Sequence, residues 1–302
     1  MCSSDLDFSL LTDETVRAII IALVLFSIAF VSFVVIALFT LFKTNIYSTR
    51  HKEKTNLICD VAYFHEKGKR EDQEDSIYIS PMDKLEHTGL VAACSDGMGG
   101  LLNGEVVSKF VTDSLREHFP YQFDSQSDNA AIITDISNQV YEQYHLGAGA
   151  TLVMVHIMDD YMNFYSLGDS NIILIRNNRA TLLNQKQNYV TLMIRKLAEG
   201  GLDTADAYRD SRAKGLIDFV GNLNCKVQMT NRPLRLIEND IIIVSSDGVT
   251  DSMPLNRIVN HIHFDQNATG IARTIKYGVR SRKNPRQDNY SAVVIKMKRS
   301  FI

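Results

Sequence analysis

The sequence has few cysteines, few prolines and no excess of basic residues. Its 302 residues include four cysteines, and no two of them form a C-x-x-C pair. This argues against a disulfide scaffold or a zinc ribbon, and a reducing compartment suits the main body of the chain. The formal net charge is −3 at pH 7, so we expect no nucleic-acid partner. We find neither an internal repeat nor a low-complexity tract.

The apolar residues are concentrated near the N-terminus. The run from Ala18 to Phe42 contains no charged residue, and as a helix it would be roughly 37 Å long. The hydrocarbon core of a membrane is about 30 Å thick, and a buried core helix rarely has more than about 14 uninterrupted apolar residues. A cleaved signal peptide fits poorly because acidic residues precede the run. The run therefore predicts a retained transmembrane helix.

This helix divides the chain into four parts, which are an N-terminal tail (1–17), the transmembrane helix (18–42), a basic juxtamembrane linker (43–56) and a large domain (57–302). The basic residues of the linker are Lys43, Arg50, Lys52 and Lys54. Basic flanks stay in the cytoplasm, so we expect a single-pass protein of the cell membrane whose large domain is cytoplasmic. The linker is also expected to contact anionic membrane lipid.

The large domain has the pattern of a mixed α+β fold. Short runs rich in Val, Ile and Tyr predict strands at 57–64, 76–80, 90–94, 151–157, 162–167, 171–176, 241–245 and 290–296. Apolar spacing of three and four residues predicts helices at 104–118, 129–144, 189–199, 255–261 and 268–280. The strands follow one another in runs, which favours antiparallel sheets. Residues 184–221 lack a strand pattern and predict a helical insertion or flap, and Asn103 is placed to cap the helix that follows it.

Acidic residues stand at the ends of five of these strands. They are Glu74, Asp75, Asp96, Asp169, Asp247 and Asp288. Taken singly, such residues are ordinary turn formers. Taken together, partly buried carboxylates would repel one another unless cations lay among them. No histidine or cysteine has metal-ligand spacing, and an all-oxygen ligand set selects Mg²⁺ or Mn²⁺. Two such ions sharing carboxylates could activate water against a phosphoryl group.

The glycines near Asp96 do not form a nucleotide-binding motif. A Walker loop requires Lys and Ser or Thr after its last glycine, but Gly104 is followed by Glu105 and Val106. A dinucleotide fingerprint starting at Gly97 would require glycine at position 102, which is leucine. The glycines are therefore expected to let the backbone approach a ligand.

Six short motifs occur in an order that resembles the metal-dependent serine/threonine phosphatases of the 2C type. They are G-x-R-x-x-x-E-D at 68–75, D-G-x-G-G at 96–100 with G-E at 104–105, G-x-G-A-T at 147–151, G-D-S at 168–170, S-D-G at 246–248 and D-N at 288–289. The similarity covers roughly residues 58–297. It implies two antiparallel sheets forming a sandwich flanked by helices, with two Mn²⁺ or Mg²⁺ ions at one end.

The resemblance also implies a role for each matched residue. Asp96 would bridge both metals and the Gly97 carbonyl would bind one of them. Asp247 and Asp288 would hold the other metal, while Glu74 and Asp75 would act directly or through metal-bound water. Asp169 would help to bind a weaker third ion, although it could instead form only a turn. Arg70 would bind the substrate phosphate, the alternative being an ordinary surface arginine.

The sequence departs from the family pattern at three places. Met98 stands where many members have histidine, so a histidine general acid is excluded there, and bacterial-type members often have methionine. Asn171 follows G-D-S where arginine is common. Residues 183–187 lack the Asp-His-Ser signature of the flap, which affects the expected substrate contacts more than the chemistry.

The function implied is a membrane-anchored phosphatase that hydrolyses phosphoserine and phosphothreonine in proteins, with membrane Ser/Thr kinases as plausible substrates. The alternative is a non-catalytic relative that binds phosphoproteins at the membrane. The acids at 75, 96, 169, 247 and 288 are all present, which favours the enzyme. A cysteine nucleophile is disfavoured because Cys59 and Cys94 lie in predicted strands without a basic neighbour.

Overall fold

The chain forms two units, residues 1–54 and residues 55–302, in a computed structural model. The structure describes residues 13–50, 57–98, 104–198, 212–213 and 215–300. The first part of the predicted tail, the end of the predicted linker and the predicted helix cap at Asn103 lie outside these residues.

The described part of the first unit is one long helix, α1 (Asp13–Arg50). Its apolar part, Ile20–Leu38, has a mean hydropathy of 3.0, and none of it is buried against protein. Ser27 donates its hydroxyl to the Leu23 carbonyl at 2.8 Å, so this polar group is satisfied within the helix. By length and composition this helix could cross a membrane. It continues past the predicted span as far as Arg50, so the start of the predicted linker is helical.

The second unit contains two antiparallel sheets. Their strands are β1 (Leu57–Glu66), β2 (Asp75–Ile79), β3 (Leu90–Asp96), β4 (Leu152–Met158), β5 (Tyr161–Leu167), β6 (Asn171–Arg176), β7 (Arg179–Leu182), β8 (Gln228–Met229), β9 (Leu234–Arg235), β10 (Ile241–Ser245) and β11 (Tyr290–Arg299). One sheet has the order β1-β11-β10-β6-β7. The other has the order β2-β3-β4-β5-β8, and β9 also pairs with β5.

The described part of the second unit also contains α-helices. They are α2 (Leu85–Thr88), α3 (Gly104–Glu117), α4 (Gln126–Tyr144), α5 (Tyr189–Ala198), α6 (Asp247–Ser252), α7 (Leu255–His261) and α8 (Ala268–Ser281). Helices α3 and α4 share an apolar cluster with the β2-β3-β4-β5 sheet, while α7 and α8 share one with the other sheet. A third cluster lies between the two sheets. The fold is thus a sandwich of two sheets flanked by helices, as expected from the resemblance.

Alternation along β10 shows how the sequence produces these layers. Successive side chains of a strand point to opposite faces, and all of β10 is buried. Ile242 and Val244 belong to the cluster between the sheets. Ile241 and Ile243 belong to the cluster under α7 and α8. An apolar β-branched run is therefore required here, because each fully buried side chain of this size stabilises the fold by about 1.5–3 kcal/mol.

The structure also differs from the sequence-based prediction. The short strands β7, β8 and β9 and the short helix α6 were not predicted. Asp288 does not open the last strand, which begins two residues later at Tyr290. In the predicted flap, α5 ends at Ala198, and single bridges pair Asn188 with Leu216 and Ala150 with Val220.

Candidate active site

The acidic residues of both sheets meet at one end of the sandwich. Asp75 at the start of β2 and Asp96 at the end of β3 are direct cross-strand partners. Like charges placed opposite one another destabilise an antiparallel pair. Asp247 begins α6 directly after β10, and Asp288 precedes β11, so both come from the other sheet. The arrangement brings negative charge together at this end of the fold.

Asp75 is the most deeply buried of these residues, with 3% of its surface exposed. Its Oδ2 accepts a hydrogen bond from the Ser246 hydroxyl at 2.8 Å, whereas its Oδ1 is buried and has no hydrogen-bond partner. Burial is the main cause that raises its pKa to about 7, while the nearby hydroxyls of Ser291 and Ser246 lower it. The charges of Asp247 and Asp288 raise this pKa further.

Asp96 and Asp247 are half-buried and share this electrostatic environment. Burial raises the pKa of Asp96 well above its usual value, and so does the charge of Asp75 and that of Asp247. Burial also raises the pKa of Asp247 to about 6, with a further contribution from Asp169. These carboxylates therefore act on one another and form a single electrostatic group.

Asp169 lies in the turn between β5 and β6. Burial raises its pKa, while the positive charge of Lys186 and a hydrogen bond from Asn188 lower it. Thr151 connects this turn with Asp96. Its Oγ1 accepts the Asp96 N–H at 3.1 Å and lies 2.6 Å from the hydroxyl of Ser170.

The loop before β2 places Arg70 beside Asp288. Arg70 Nη2 donates to Asp288 Oδ2 at 2.6 Å, although both side chains are largely exposed. Gly68 has a φ of +66°, and a Cβ there would lie 2.2 Å from the Asp288 carbonyl oxygen, so only glycine allows this approach. In this arrangement the guanidinium is paired with a predicted metal ligand.

Asn289 holds the same loop in place. Its amide donates to the Lys67 carbonyl at 2.8 Å and to the Asp72 carbonyl at 2.9 Å. Its Oδ1 accepts the Glu74 N–H at 2.9 Å. A single side chain thus fixes the backbone that carries both Arg70 and Glu74.

Two glycines bring the backbone close to Glu74. A Cβ at Gly97 would lie 2.3 Å from the Gly104 carbonyl oxygen, and a Cβ at Gly104 would lie 2.7 Å from Glu74 Oε1. The Gly97 N–H donates to the Glu74 carbonyl at 2.9 Å. Burial raises the pKa of Glu74, which the charge of Arg70 lowers. The Glu74 carboxylate therefore lies directly against the start of α3.

The donor set fits hard divalent cations. A buried carboxylate oxygen without a partner on Asp75, together with neighbouring carboxylates that raise one another's pKa, indicates a site that lacks positive charge. Oxygen ligands of this kind suit Mg²⁺ and Mn²⁺. Within the described ranges, no group of three or more Asp, Glu, His or Cys side chains is arranged so that it could hold a metal ion. The carboxylates lie near one another, and one of them, that of Asp288, is hydrogen-bonded to Arg70.

Sequence reasoning did not assign roles to Ser246 or Asn289. Both lie inside motifs that were recognised, S-D-G and D-N, but only the aspartates of those motifs were interpreted. The structure shows that Ser246 orients Asp75 and that Asn289 fixes the loop of Arg70. Polar residues next to metal ligands commonly orient those ligands, and this regularity would have identified both Ser246 and Asn289.

These features define the class of the domain, an α+β sandwich with a carboxylate site formed jointly by its two sheets. The chain belongs to the protein phosphatase 2C family, whose model matches residues 67–276.

Sequence comparison finds the serine/threonine protein phosphatase PstP of Mycobacterium tuberculosis. It is 22% identical over 235 residues, covering 74% of this chain and 42% of the relative. The chain thus spans less than half the length of the curated relatives it matches.

Solved structures show the same fold. A serine/threonine phosphatase of S. agalactiae is 20% identical with a TM-score of 0.69, covering 79% of this chain and 99% of that one. The catalytic domain of PstP, solved in complex with two manganese ions, is 22% identical with a TM-score of 0.61, covering 80% of this chain and 99% of that one. The expected sandwich architecture is confirmed.

Proposed function

We propose that this chain is a membrane-anchored, metal-dependent phosphatase that hydrolyses phosphoserine and phosphothreonine in proteins. The observation that carries the proposal is the unpartnered, buried Oδ1 of Asp75 within a group of mutually repelling carboxylates. In a member of the 2C family, such a site suits two Mn²⁺ or Mg²⁺ ions. When bound, these ions supply an activated water and neutralise charge on the phosphoryl group.

Different carboxylates would hold different ions. Asp96, which lies among the other acids, would help to hold both ions together with the Gly97 carbonyl. Asp247 and Asp288 are suited to one ion from the second sheet. Asp75 and Glu74 would bind an ion directly or through a water molecule. Asp169 lies near the positive charge of Lys186, which opposes the binding of a cation, so Asp169 suits a weaker third ion.

Arg70 binds the substrate phosphate. Its planar guanidinium, which donates one hydrogen bond to Asp288, can donate two parallel hydrogen bonds to phosphate oxygens. Cations held by the carboxylates would compete with Arg70 for Asp288 and so would leave the guanidinium free to bind phosphate. Met98 offers no proton because its thioether has none to donate, so the leaving group would be protonated by water.

The anchor and its orientation complete the proposal. Helix α1 is long and apolar enough to hold the enzyme in the cell membrane. Four basic residues follow the span against one acidic residue, Glu53, so the positive-inside rule places the phosphatase domain in the cytoplasm. Phosphoproteins at the membrane, including Ser/Thr kinases, are then within reach, and anionic lipid contacts the basic segment.

Hydrolysis of a phosphothreonine peptide by the full-length chain in detergent micelles tests the proposal. Turnover should require Mn²⁺ or Mg²⁺ and stop in EDTA. Asp96→Asn should remove nearly all turnover and weaken Mn²⁺ binding in calorimetry, while circular dichroism stays that of the wild type. Peptide binding without turnover by the wild type, at any metal concentration, would instead identify a non-catalytic phosphoprotein-binding module.

A further inference from the structure

A polar groove lies next to the acidic site, in the region of the sequence that departs from the family's flap. Its volume is about 450 Å³, and its walls include 185–187, α5 and the segments around Ile217 and Lys226. Gln187 connects it to the site, because its Oε1 accepts the Gly168 N–H at 2.8 Å, directly before Asp169. A wall of the groove is therefore hydrogen-bonded to the turn that carries Asp169.

The charge of the groove is opposite to that of the acidic site. Among the residues that the structure describes, its walls carry three basic side chains, Lys186, Arg195 and Lys226, and one acidic side chain, Asp218. The Oδ2 of Asp218 accepts the backbone N–H of Lys226 at 2.8 Å, and its Oδ1 is buried without a hydrogen-bond partner. A basic excess is notable here because the whole chain has a formal charge of −3. Such a groove attracts negatively charged groups locally.

The groove also has the features needed to hold a peptide. Ile217 is 42% exposed, and Leu192 is half-buried beside it, so apolar contact is available. Hydrogen bonds fix the walls in place. Arg195 Nη2 donates to Gln185 Oε1 at 2.7 Å, and Gln187 Nε2 donates to the Lys226 carbonyl at 2.8 Å. Walls that are already ordered lose little entropy when a ligand binds.

We propose that this groove binds acidic residues flanking the phosphorylated residue of a protein substrate. The inference rests on the proposed function, because a phosphoryl group held at the carboxylate site would direct the adjoining peptide toward the groove. Lys186 lines the groove directly before Gln187, which is hydrogen-bonded to the turn of Asp169. Arg195 and Lys226 would then select the substrate by charge.

The test uses three phosphothreonine peptides that differ only in the residues beside the phosphothreonine, which are Asp, Asn or Lys. Binding to the full-length chain in neutral detergent micelles is measured by fluorescence anisotropy with Mn²⁺, using peptides that carry a non-hydrolysable phosphonate in place of the phosphate ester, so the result does not depend on turnover. The wild type should bind the Asp peptide most tightly, and the preference should diminish at high salt because exposed charges are screened.

Two double variants separate the groove from general charge effects. The Lys226→Gln, Arg195→Gln variant should bind the Asp peptide roughly threefold to tenfold more weakly, as expected for loss of two exposed ion pairs. Its affinity for the Asn peptide should not change. The matched control is Lys84→Gln, Arg179→Gln, which removes the same charges from exposed positions outside the groove. The control should bind all three peptides like the wild type.

Turnover provides the second readout. With Mn²⁺, the groove variant should show a raised KM for the Asp peptide at unchanged kcat and unaltered hydrolysis of p-nitrophenyl phosphate. Equal wild-type affinity for the Asp and Asn peptides, or an equal loss in the control variant, overturns the inference. If the wild type hydrolyses no phosphate ester, the proposed function fails, and the binding result still decides whether the groove recognises acidic peptides.

Discussion

Asp75 destabilises the fold when no cation is bound, and Asp75→Asn should therefore stabilise the ion-free protein at pH 8. The folded protein raises the pKa of Asp75 from 3.8 to about 7. At about 1.4 kcal/mol per pKa unit, an ionised Asp75 costs up to about 4 kcal/mol at pH 8. The new amide leaves an unpaired N–H in place of Oδ1, which costs about 1–3 kcal/mol. The net gain in the free energy of unfolding is about 1–3 kcal/mol.

The pH dependence has a definite sign. Because the folded pKa lies above the unfolded one, the folded state binds more protons between pH 4 and 7, so wild-type stability falls as pH rises through this window. The advantage of the variant should be absent below about pH 4 and grow up to about pH 7. Urea unfolding of the full-length chain in micelles with EDTA, followed by tyrosine fluorescence because the chain has no tryptophan, measures this. Mn²⁺ at 100 times its Kd should add about 2.7 kcal/mol to the wild type and little to the variant.

Asp240→Asn is the matched control for Asp75→Asn. Asp240 is equally buried, at 1% exposed, but both of its carboxylate oxygens accept hydrogen bonds from Arg176, at 2.6 and 2.8 Å. Its replacement should destabilise the protein by at least about 1 kcal/mol at pH 8, with or without Mn²⁺. A metal-free Asp75→Asn protein that is less stable than the wild type at pH 8 would show that Asp75 is not under electrostatic stress, and the argument for the site would lose its basis.

Three further predictions concern the phosphate, the third ion and the membrane. Arg70→Ala should raise KM for a phosphopeptide roughly 10- to 100-fold at nearly unchanged kcat, because a charge-assisted hydrogen bond is lost but the carboxylates remain; a fall in kcat alone would contradict the role. Asp169→Ala should lower activity yet keep both tightly bound Mn²⁺ ions in calorimetric titrations, and loss of those two ions would make Asp169 a core ligand. In intact cells an impermeant thiol reagent should not label Cys225, retained as the only cysteine, until the cells are lysed and the protein is denatured; labelling in intact cells would place the domain outside.

The fold could be predicted wherever apolar residues follow a clear period. Strands β6 and β10 and helix α7 begin and end where the sequence predicts. The missed strands are short and partly polar, and β8 and β9 have two residues each, so no alternation can be seen in them. Helix α6 was missed because Asp247 and Gly248 are turn formers in sequence terms. The helical conformation of α6 is determined by its packing against β11, which the local sequence does not show.

The acidic positions of the site could be predicted, but their pairings could not. Arg70 and Asp288 are 218 positions apart, and nothing local indicates that they bind each other. The same holds for Ser246 and Asp75, which are 171 positions apart. Motif order identified the residues because strand ends collect at one end of the sandwich. The hydrogen bonds depend on how the two sheets pack, which the pattern of a single strand does not specify.

The bond between Ser246 and Asp75 joins the two sheets at the site. Asp75 belongs to β2 of one sheet, whereas Ser246 directly follows β10 of the other. The Ser246 hydroxyl accepts the Ser291 N–H at 3.0 Å while it donates to Asp75, so its position follows the pairing of β10 with β11. One oxygen of Asp75 is fixed in this way, and the other stays without a partner. The orientation of a proposed metal ligand therefore depends on the apolar packing between the sheets, and small changes in that packing should alter cation affinity before they unfold the domain.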